Sequence, residues 1–314
     1  MRSRRSLAAV VPLVTALLWG LTAGVAANAK ESSSADSTQQ TSSQATPQSD
    51  DRTHYVALGD SYTSGPLIPL QRLDPLGCLR STQNYPSVVA ARLDNTSLTD
   101  VSCAGADTTD MTEPQKIVLG HNAPQFDALR PDTDLVTLGI GGNDHGVFGS
   151  IIDTCPGLRA SDPTGNPCQQ HFTVDGVDTL ETAIAQTRQN VETVLHGIRE
   201  RSPEATILLI GYPRIAPPTG TCPDVLPFAD GDYVWLNHIE ETLNAALATA
   251  AANHGSTTFI DTYPASLGHD ACAEHAWIQG QHLNPIGAAH YHPNRWGMEG
   301  VAEVILDHLA ERGW

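Results

Sequence analysis

The sequence predicts an α/β fold, a three-layer α/β/α sandwich around a central, mostly parallel sheet, and two observations carry that expectation. Short apolar runs bounded by turn residues recur at residues 55–58, 135–140, 207–211 and 258–260, the pattern of buried strands. Stretches of helical period alternate with them. Residues 177–201 place Val177, Leu180, Ile184, Val191, Val194, Leu195 and Ile198 on one stripe, and Pro203 ends the run. Residues 234–252 do the same with Leu236, Ile239, Leu243, Ala246 and Leu247, and residues 298–309 form a third helix. Strands separated by such helices are joined by crossovers, so they lie parallel with helices on both faces. Two Pro- and Gly-rich stretches beside cysteines, 156–166 and 213–232, read as long surface loops, either plain connections or walls of a pocket.

The region before residue 53 reads as an export segment. Arg2, Arg4 and Arg5 precede an apolar run that ends in the small residues Ala27-Asn28-Ala29, the layout of a secretory signal peptide over residues 1–29. A membrane anchor competes, since about 20 apolar residues span a bilayer. Pro12 and the small-x-small end favour cleavage, and hence an extracellular, secreted protein. Residues 30–52 are rich in Ser, Thr, Gln and Ala. Burial there cannot offset chain entropy, so a disordered tether is expected. One domain follows over residues 53–314, ample for a full core.

The formal net charge is −18, and loss of the arginine-bearing leader makes it more negative. Such a chain repels nucleic acid and anionic membranes. Neither a nucleic-acid nor a stable membrane partner is expected, and the domain is read as a monomer. The six cysteines are Cys78, Cys103, Cys155, Cys168, Cys222 and Cys272. None forms a C-x-x-C pair, which argues against structural zinc. An even number in an exported chain points to three disulfides, whose pairing the sequence alone leaves open.

Three loops carry candidate chemistry. Gly59-Asp60-Ser61-Tyr62-Thr63-Ser64-Gly65 follows the run at 55–58. A serine on a sharp turn at a strand end exposes its hydroxyl beside backbone N–H groups, although Gly-Asp-Ser is also an ordinary turn. Gly139-Ile140-Gly141-Gly142-Asn143-Asp144 ends the run at 135–140. Ser61 and Asn143 both fall beyond carboxyl ends of strands, where parallel sheets hold their ligands. His292-Pro293-Asn294-Arg295-Trp296-Gly297 precedes the last helix. His282, His290 and His292 lie close in sequence, but without cysteines or close carboxylates no metal is expected.

Serine, then an amide in a glycine-rich loop, then a late histidine, with Val101-Ser102-Cys103-Ala104-Gly105-Ala106 between, resembles the SGNH or GDSL-type hydrolase superfamily. The resemblance runs from residue 55 to 309, and within the superfamily it is to secreted actinobacterial esterases, lipases and phospholipases. It implies an SGNH-hydrolase-like sandwich with Ser61 as nucleophile and His292 as base. The oxyanion donors would be the N–H groups of Ser61 and Gly105 and the side-chain amide of Asn143. It also implies no cofactor and the disulfides Cys78–Cys103, Cys155–Cys168 and Cys222–Cys272. Thr63 stands where a Gly-x-Ser-x-Gly elbow needs its last glycine, which argues against an α/β-hydrolase.

One position departs from the superfamily pattern. An aspartate usually stands three residues before the histidine, and here that residue is Ala289. A main-chain carbonyl is therefore expected to orient His292, that of Ala289 in the first instance or of His290, with a distant acid such as Asp261, Asp270 or Glu299 as the alternative. Asp60 and Asp144 are expected to stabilise turns. The expected activity is a serine esterase or lipase acting on carboxylic esters, lipid acyl esters first and short-chain esters next. The alternatives are a carbohydrate acetyl esterase on the same machinery and a non-catalytic carbohydrate- or wall-binding protein.

Overall fold

The computed structural model describes residues 52–314. The expected leader and the tether up to Asp51 lie outside the described residues. In chain order the elements are strand β1 (Thr53–Gly59), the one-turn helix α1 (Ser61–Ser64), helix α2 (Tyr85–Arg92), strand β2 (Thr96–Asp100) and the hairpin of β3 (Gln115–Ile117) and β4 (Gly120–Asn122). Strand β5 (Leu135–Gly139), helices α3 (Val147–Arg159) and α4 (Pro167–Phe172), and the hairpin of β6 (Thr173–Val174) and β7 (Val177–Asp178) follow. Helix α5 (Thr179–Arg201), β8 (Thr206–Ile210), α6 (Asp232–His254), β9 (Thr257–Ile260) and α7 (Arg295–Glu311) complete the fold. Strands β2-β1-β5-β8-β9 form one sheet in that order, every pair parallel.

Strand side chains alternate between two faces, and the core divides accordingly. Tyr55 and Ala57 of β1 join Leu208 and Ile210 of β8 against Val89 of α2 and Met298, Val301 and Ile305 of α7. Val56, Leu58, Leu138 and Leu209 point the other way, against Ile184, Val191 and Leu195 of α5 and Ile239, Leu243 and Leu247 of α6. The central strands are thus buried on both faces, which is why they read as continuous apolar runs. Leu58 and Leu138 have no exposed surface, and truncating such a leucine to alanine typically costs about 2–5 kcal/mol.

Four local expectations change. The edge strand β2, Thr-Ser-Leu-Thr-Asp, holds one large apolar residue and so gives no periodic signal. Its pairing with β1 makes it a strand. Helix α2 was also missed. It is short, capped by Asn84 with Pro86 in its first turn. The helix expected from Val177 begins at Thr179, because Asp175 and Gly176 both adopt positive φ (51° and 78°) and close the β6–β7 hairpin, an Asp-Gly preference of such turns. Asp178 then caps α5 by accepting from the N–H groups of Leu180 and Glu181. Finally, the loop expected from Pro156 starts inside α3, which carries Pro156 in its interior.

Disulfides join Cys78 to Cys103, Cys155 to Cys168 and Cys222 to Cys272. The first fastens the turn before Leu79 to the loop after β2, the second staples α3 to α4, and the third ties the long loop after β8 to the segment after β9. Among the described residues no helix is long and apolar enough to cross a membrane.

Candidate active site

The carboxyl ends of β1 and β5 abut closely. A Cβ on Gly59 would lie 2.2 Å from Thr63 Oγ1 and 2.6 Å from the Gly139 carbonyl oxygen, so only glycine allows the approach. Buried Gln125 holds both backbone groups of Gly59, accepting from its N–H (2.7 Å) and donating to its carbonyl (2.9 Å). The next residue, Asp60, is the N-cap of α1 and accepts from the Tyr62 N–H at 2.8 Å. Ser61 is then the first helical residue, and its N–H has no carbonyl one turn earlier to bond.

The Gly105 loop is fixed through its neighbours. The Ala104 N–H donates to the Cys78 carbonyl (3.0 Å), and Gln115 Nε2 donates to the Ala104 carbonyl (3.0 Å). Gly105 itself adopts φ 79°, in the region that favours glycine. Asn143 follows β5, and its Nδ2 donates to the Ala106 carbonyl at 2.8 Å. That bond uses one amide hydrogen, orients the side chain and leaves the second hydrogen available. Asp144 is buried and accepts from the Thr108 N–H (3.0 Å), the Thr108 hydroxyl (2.6 Å) and Asn190 Nδ2 (2.9 Å). It braces the Asn143 loop against the segment after Gly105, a turn-stabilising use of the carboxylate.

His292 corrects one expectation. Its ring Nδ1 lies 2.7 Å from the His290 carbonyl. The Ala289 carbonyl instead accepts the His292 backbone N–H at 3.3 Å. The tight turn that ends at His292 turns the Ala289 carbonyl toward the main chain and the His290 carbonyl toward the ring. Because a carbonyl only accepts, Nδ1 carries the proton and Nε2 keeps its lone pair. Among the described residues no carboxylate is hydrogen-bonded to the ring. Asp261 accepts from the Tyr263 N–H, Asp270 from the Cys272 N–H, and Glu299 pairs with Arg295.

Ser61, Gly105, Asn143, Ala289, His290 and His292 all line one cavity of about 310 Å³. Pro66, Leu79, Phe148 and Ile152 form its apolar walls. Among the described residues no hydrogen bond joins the Ser61 hydroxyl to the imidazole in this resting geometry. Catalytic contacts of that kind commonly tighten only around substrate.

Three residues to which the sequence assigned no role, Tyr212, Tyr62 and Gln125, support this geometry. The Tyr212 hydroxyl donates to Asp60 Oδ2 at 2.5 Å and accepts from the Gly142 N–H at 2.8 Å, joining the serine turn to the asparagine loop. Its position just past β8, at a strand carboxyl end, is the signal that would have found it. Tyr62 donates to the Tyr291 carbonyl (2.6 Å) and sets its ring 5.3 Å from that of His292. Gln125 offers no sequence signal, because it acts only through the strand ends it meets in space.

Burial shapes the titration of the site. It lowers His292 to about 4, against the raising effect of the bond to the His290 carbonyl. It raises Asp60 to about 7, opposed by the Tyr212 and Tyr62 hydrogen bonds. Among the described residues no group of three or more His, Cys, Asp or Glu is arranged to hold a metal ion.

A model of the GDSL-like lipase/acylhydrolase family matches residues 57–299. The chain belongs to this family. Lipase 2 of Streptomyces coelicolor is 39% identical to it over 318 residues, covering 98% of this chain and 97% of that protein. Two solved structures are similar in fold. Phospholipase A1 from Streptomyces albidoflavus superposes with a TM-score of 0.66 at 27% identity, covering 82% of this chain and 99% of its own. The extracellular lipase of Streptomyces rimosus gives 0.63 at 28% identity, covering 81% and 99%. This GDSL-family chain is a carboxylic ester hydrolase of the SGNH type, and its cavity is where the family's serine, glycine, asparagine and histidine blocks converge.

Proposed function

We propose that this GDSL hydrolase is a secreted lipase or esterase that cleaves lipid acyl esters through an acyl-enzyme on Ser61. The observation that carries the reading is the single cavity that brings Ser61, Gly105, Asn143 and a carbonyl-oriented His292 together under apolar walls. Ser61 Oγ attacks the ester carbonyl while His292 Nε2 takes its proton. The Nδ1 bond to the His290 carbonyl holds the reactive tautomer and gives the imidazolium a dipole to face in place of a carboxylate. The developing oxyanion is stabilised by the N–H groups of Ser61 and Gly105 and the free amide hydrogen of Asn143. The imidazolium then gives its proton to the leaving alkoxide, and in the second half-reaction the neutral imidazole so restored takes a proton from the water that attacks the acyl-enzyme, returning it to Ser61 Oγ as the acid leaves. Secretion is supported by the leader-like residues 1–29 and by similarity to a lipase described as extracellular.

The test is hydrolysis of p-nitrophenyl esters of graded chain length, followed by a covalent phosphonate. Turnover that rises from acetyl toward longer chains, with the phosphonate on Ser61, is the expected result. A strict acetyl preference would favour a carbohydrate deacetylase, and no turnover on any ester would remove the enzymatic reading.

For Asn143→Ala, kcat is expected to fall by about 10²–10³ with a smaller change in KM, because the amide acts on charge that develops after binding. A loss confined to KM would make Asn143 a substrate-positioning group.

The pH dependence has a definite sign. The base works only when neutral, and burial lowers His292 to about 4. Activity is therefore present above that value and lost as pH falls through it, whereas an ordinary histidine would lose half its activity near 6.5. The log kcat/KM profile should stay flat from neutrality to about pH 5 and turn down near 4. An inflection near 7 that vanishes in Asp60→Asn would belong to the buried cap. One that persists there would return His292 to its ordinary value.

A further inference from the structure

Thirteen large apolar side chains stand exposed among the described residues, and seven of them, Leu70, Leu73, Leu76, Val118, Leu119, Leu283 and Ile286, fall in segments bordering one cavity. Scattered single exposures are ordinary on a soluble surface, whereas a clustered set marks a contact surface.

The clustering follows from contacts. Leu79 and Ala104 line the cavity. The turn just before Leu79 abuts the β3–β4 tip, since a Cβ on Gly77 would lie 2.5 Å from the Val118 carbonyl oxygen. Gln115, at the base of that hairpin, is bonded to Ala104. The tip residues Val118 and Leu119 are 75% and 90% exposed. Leu119 sits at φ 68°, a conformation in which glycine or asparagine would be unstrained. On the segment before His292, the Ala289 N–H donates to the Pro66 carbonyl (3.0 Å), and both residues line the cavity. Just before Ala289, paired bonds between Asn284 and Ala288 close a turn that carries Ile286, 79% exposed.

We propose that this rim is a docking surface for a neutral or zwitterionic lipid–water interface, which the β3–β4 tip and the Ile286 turn enter from two sides of the cavity mouth. The proposal deepens the lipid-ester reading above and rests on it. Three observations select this occupant. The rim segments run into residues that line the cavity, Leu79 and the Ala104 held by Gln115 on one and Ala289 on the other, so an interface docked there would lie next to the acyl site. The chain is strongly acidic, which disfavours anionic lipid. The single lysine among the described residues, Lys116, is exposed beside the tip, where its stem can follow the apolar residues and its ammonium reach a lipid phosphate.

The test uses the full chain carrying Ser61→Ala, so that lipid is not consumed, and large vesicles of phosphatidylcholine with or without added phosphatidylglycerol. Co-sedimentation with phosphatidylcholine is expected, weakened by the anionic lipid. The double variant Val118→Ser/Leu119→Ser should lower the partition by about tenfold or more, since each withdrawn side chain of this size is worth about a factor of ten. Ile286→Ser should lower it in the same direction and serves if the double variant misfolds by circular dichroism. Val177→Ser, exposed on another hairpin, should leave it unchanged. Absence of vesicle binding, equal binding by the rim variants, or preference for the anionic vesicles would overturn the proposal. So would self-association abolished by the same variants, because the rim would then join two copies of this chain. Turnover of p-nitrophenyl acetate by the unsubstituted enzyme reports the catalytic reading separately, so failure of one is not mistaken for failure of the other.

Discussion

Ser61→Ala is expected to abolish ester hydrolysis and to leave the thermal transition nearly in place. The serine side chain is short, the residue lines the cavity, and the turn beneath it is held by other groups. Asp60 caps the helix, Gln125 grips Gly59, and Tyr212 joins Asp60 to Gly142. Removing the hydroxyl therefore deletes chemistry and little packing, so the stability change should stay within about 0.5–1 kcal/mol, the range of a substitution that breaks no network. Without a nucleophile no acyl-enzyme forms, and phosphonate labelling is lost with turnover. The measurement is kcat on one soluble ester with a parallel melting curve. Full activity in a clean preparation would remove Ser61 from the mechanism.

His292→Ala should be nearly as severe, because the base whose tautomer the His290 carbonyl fixes is gone, and the informative comparison is with the acids. Where a carboxylate orients the catalytic histidine, neutralising it can cost about 10⁴ in kcat. Here the His290 carbonyl does that job at 2.7 Å, and no side-chain substitution removes it. Asp261→Asn, Asp270→Asn and Glu299→Gln should each keep kcat within about tenfold. Their carboxylates are engaged by the Tyr263 N–H, the Cys272 N–H and Arg295. Ala289→Ser should be close to silent as well, since the Ala289 carbonyl serves the backbone of its own turn. A thousandfold loss in any one carboxylate variant, with folding intact by circular dichroism, would reveal an acid acting on His292 and overturn the dyad.

Legibility in the sequence tracked burial. Strands β1, β5 and β8 are apolar on both faces, and helices α5, α6 and α7 each show one apolar stripe, so periodicity alone finds them. The polar edge strand β2 and the short α2 have no such pattern and exist because β1 and α7 stand beside them. Asp175-Gly176 is the turn of the β6–β7 hairpin, whereas the apolar Val177 extends the helical stripe two residues too early. At the site, the serine, glycine, asparagine and histidine blocks were readable because each needs particular residue types on a turn. Gln125 was not, since a lone glutamine announces nothing until its partners are known, and Tyr212 offered only its place just past β8.

The sequence by itself determined the order of strands β1, β5, β8 and β9 and helices α5, α6 and α7, the family blocks, the acidic balance and the candidate nucleophile, amide and base. These depend on residue type and local spacing. The tertiary structure alone decided that the His290 carbonyl, not that of Ala289, meets the imidazole. It also placed Tyr212 across two loops and set the β3–β4 hairpin against the turn before Leu79. Each of these joins residues far apart in the chain or depends on which way a peptide unit turns, and neither a distant contact nor a carbonyl's direction is encoded by local pattern. Both are set only when the sheet closes and its loops pack against one another.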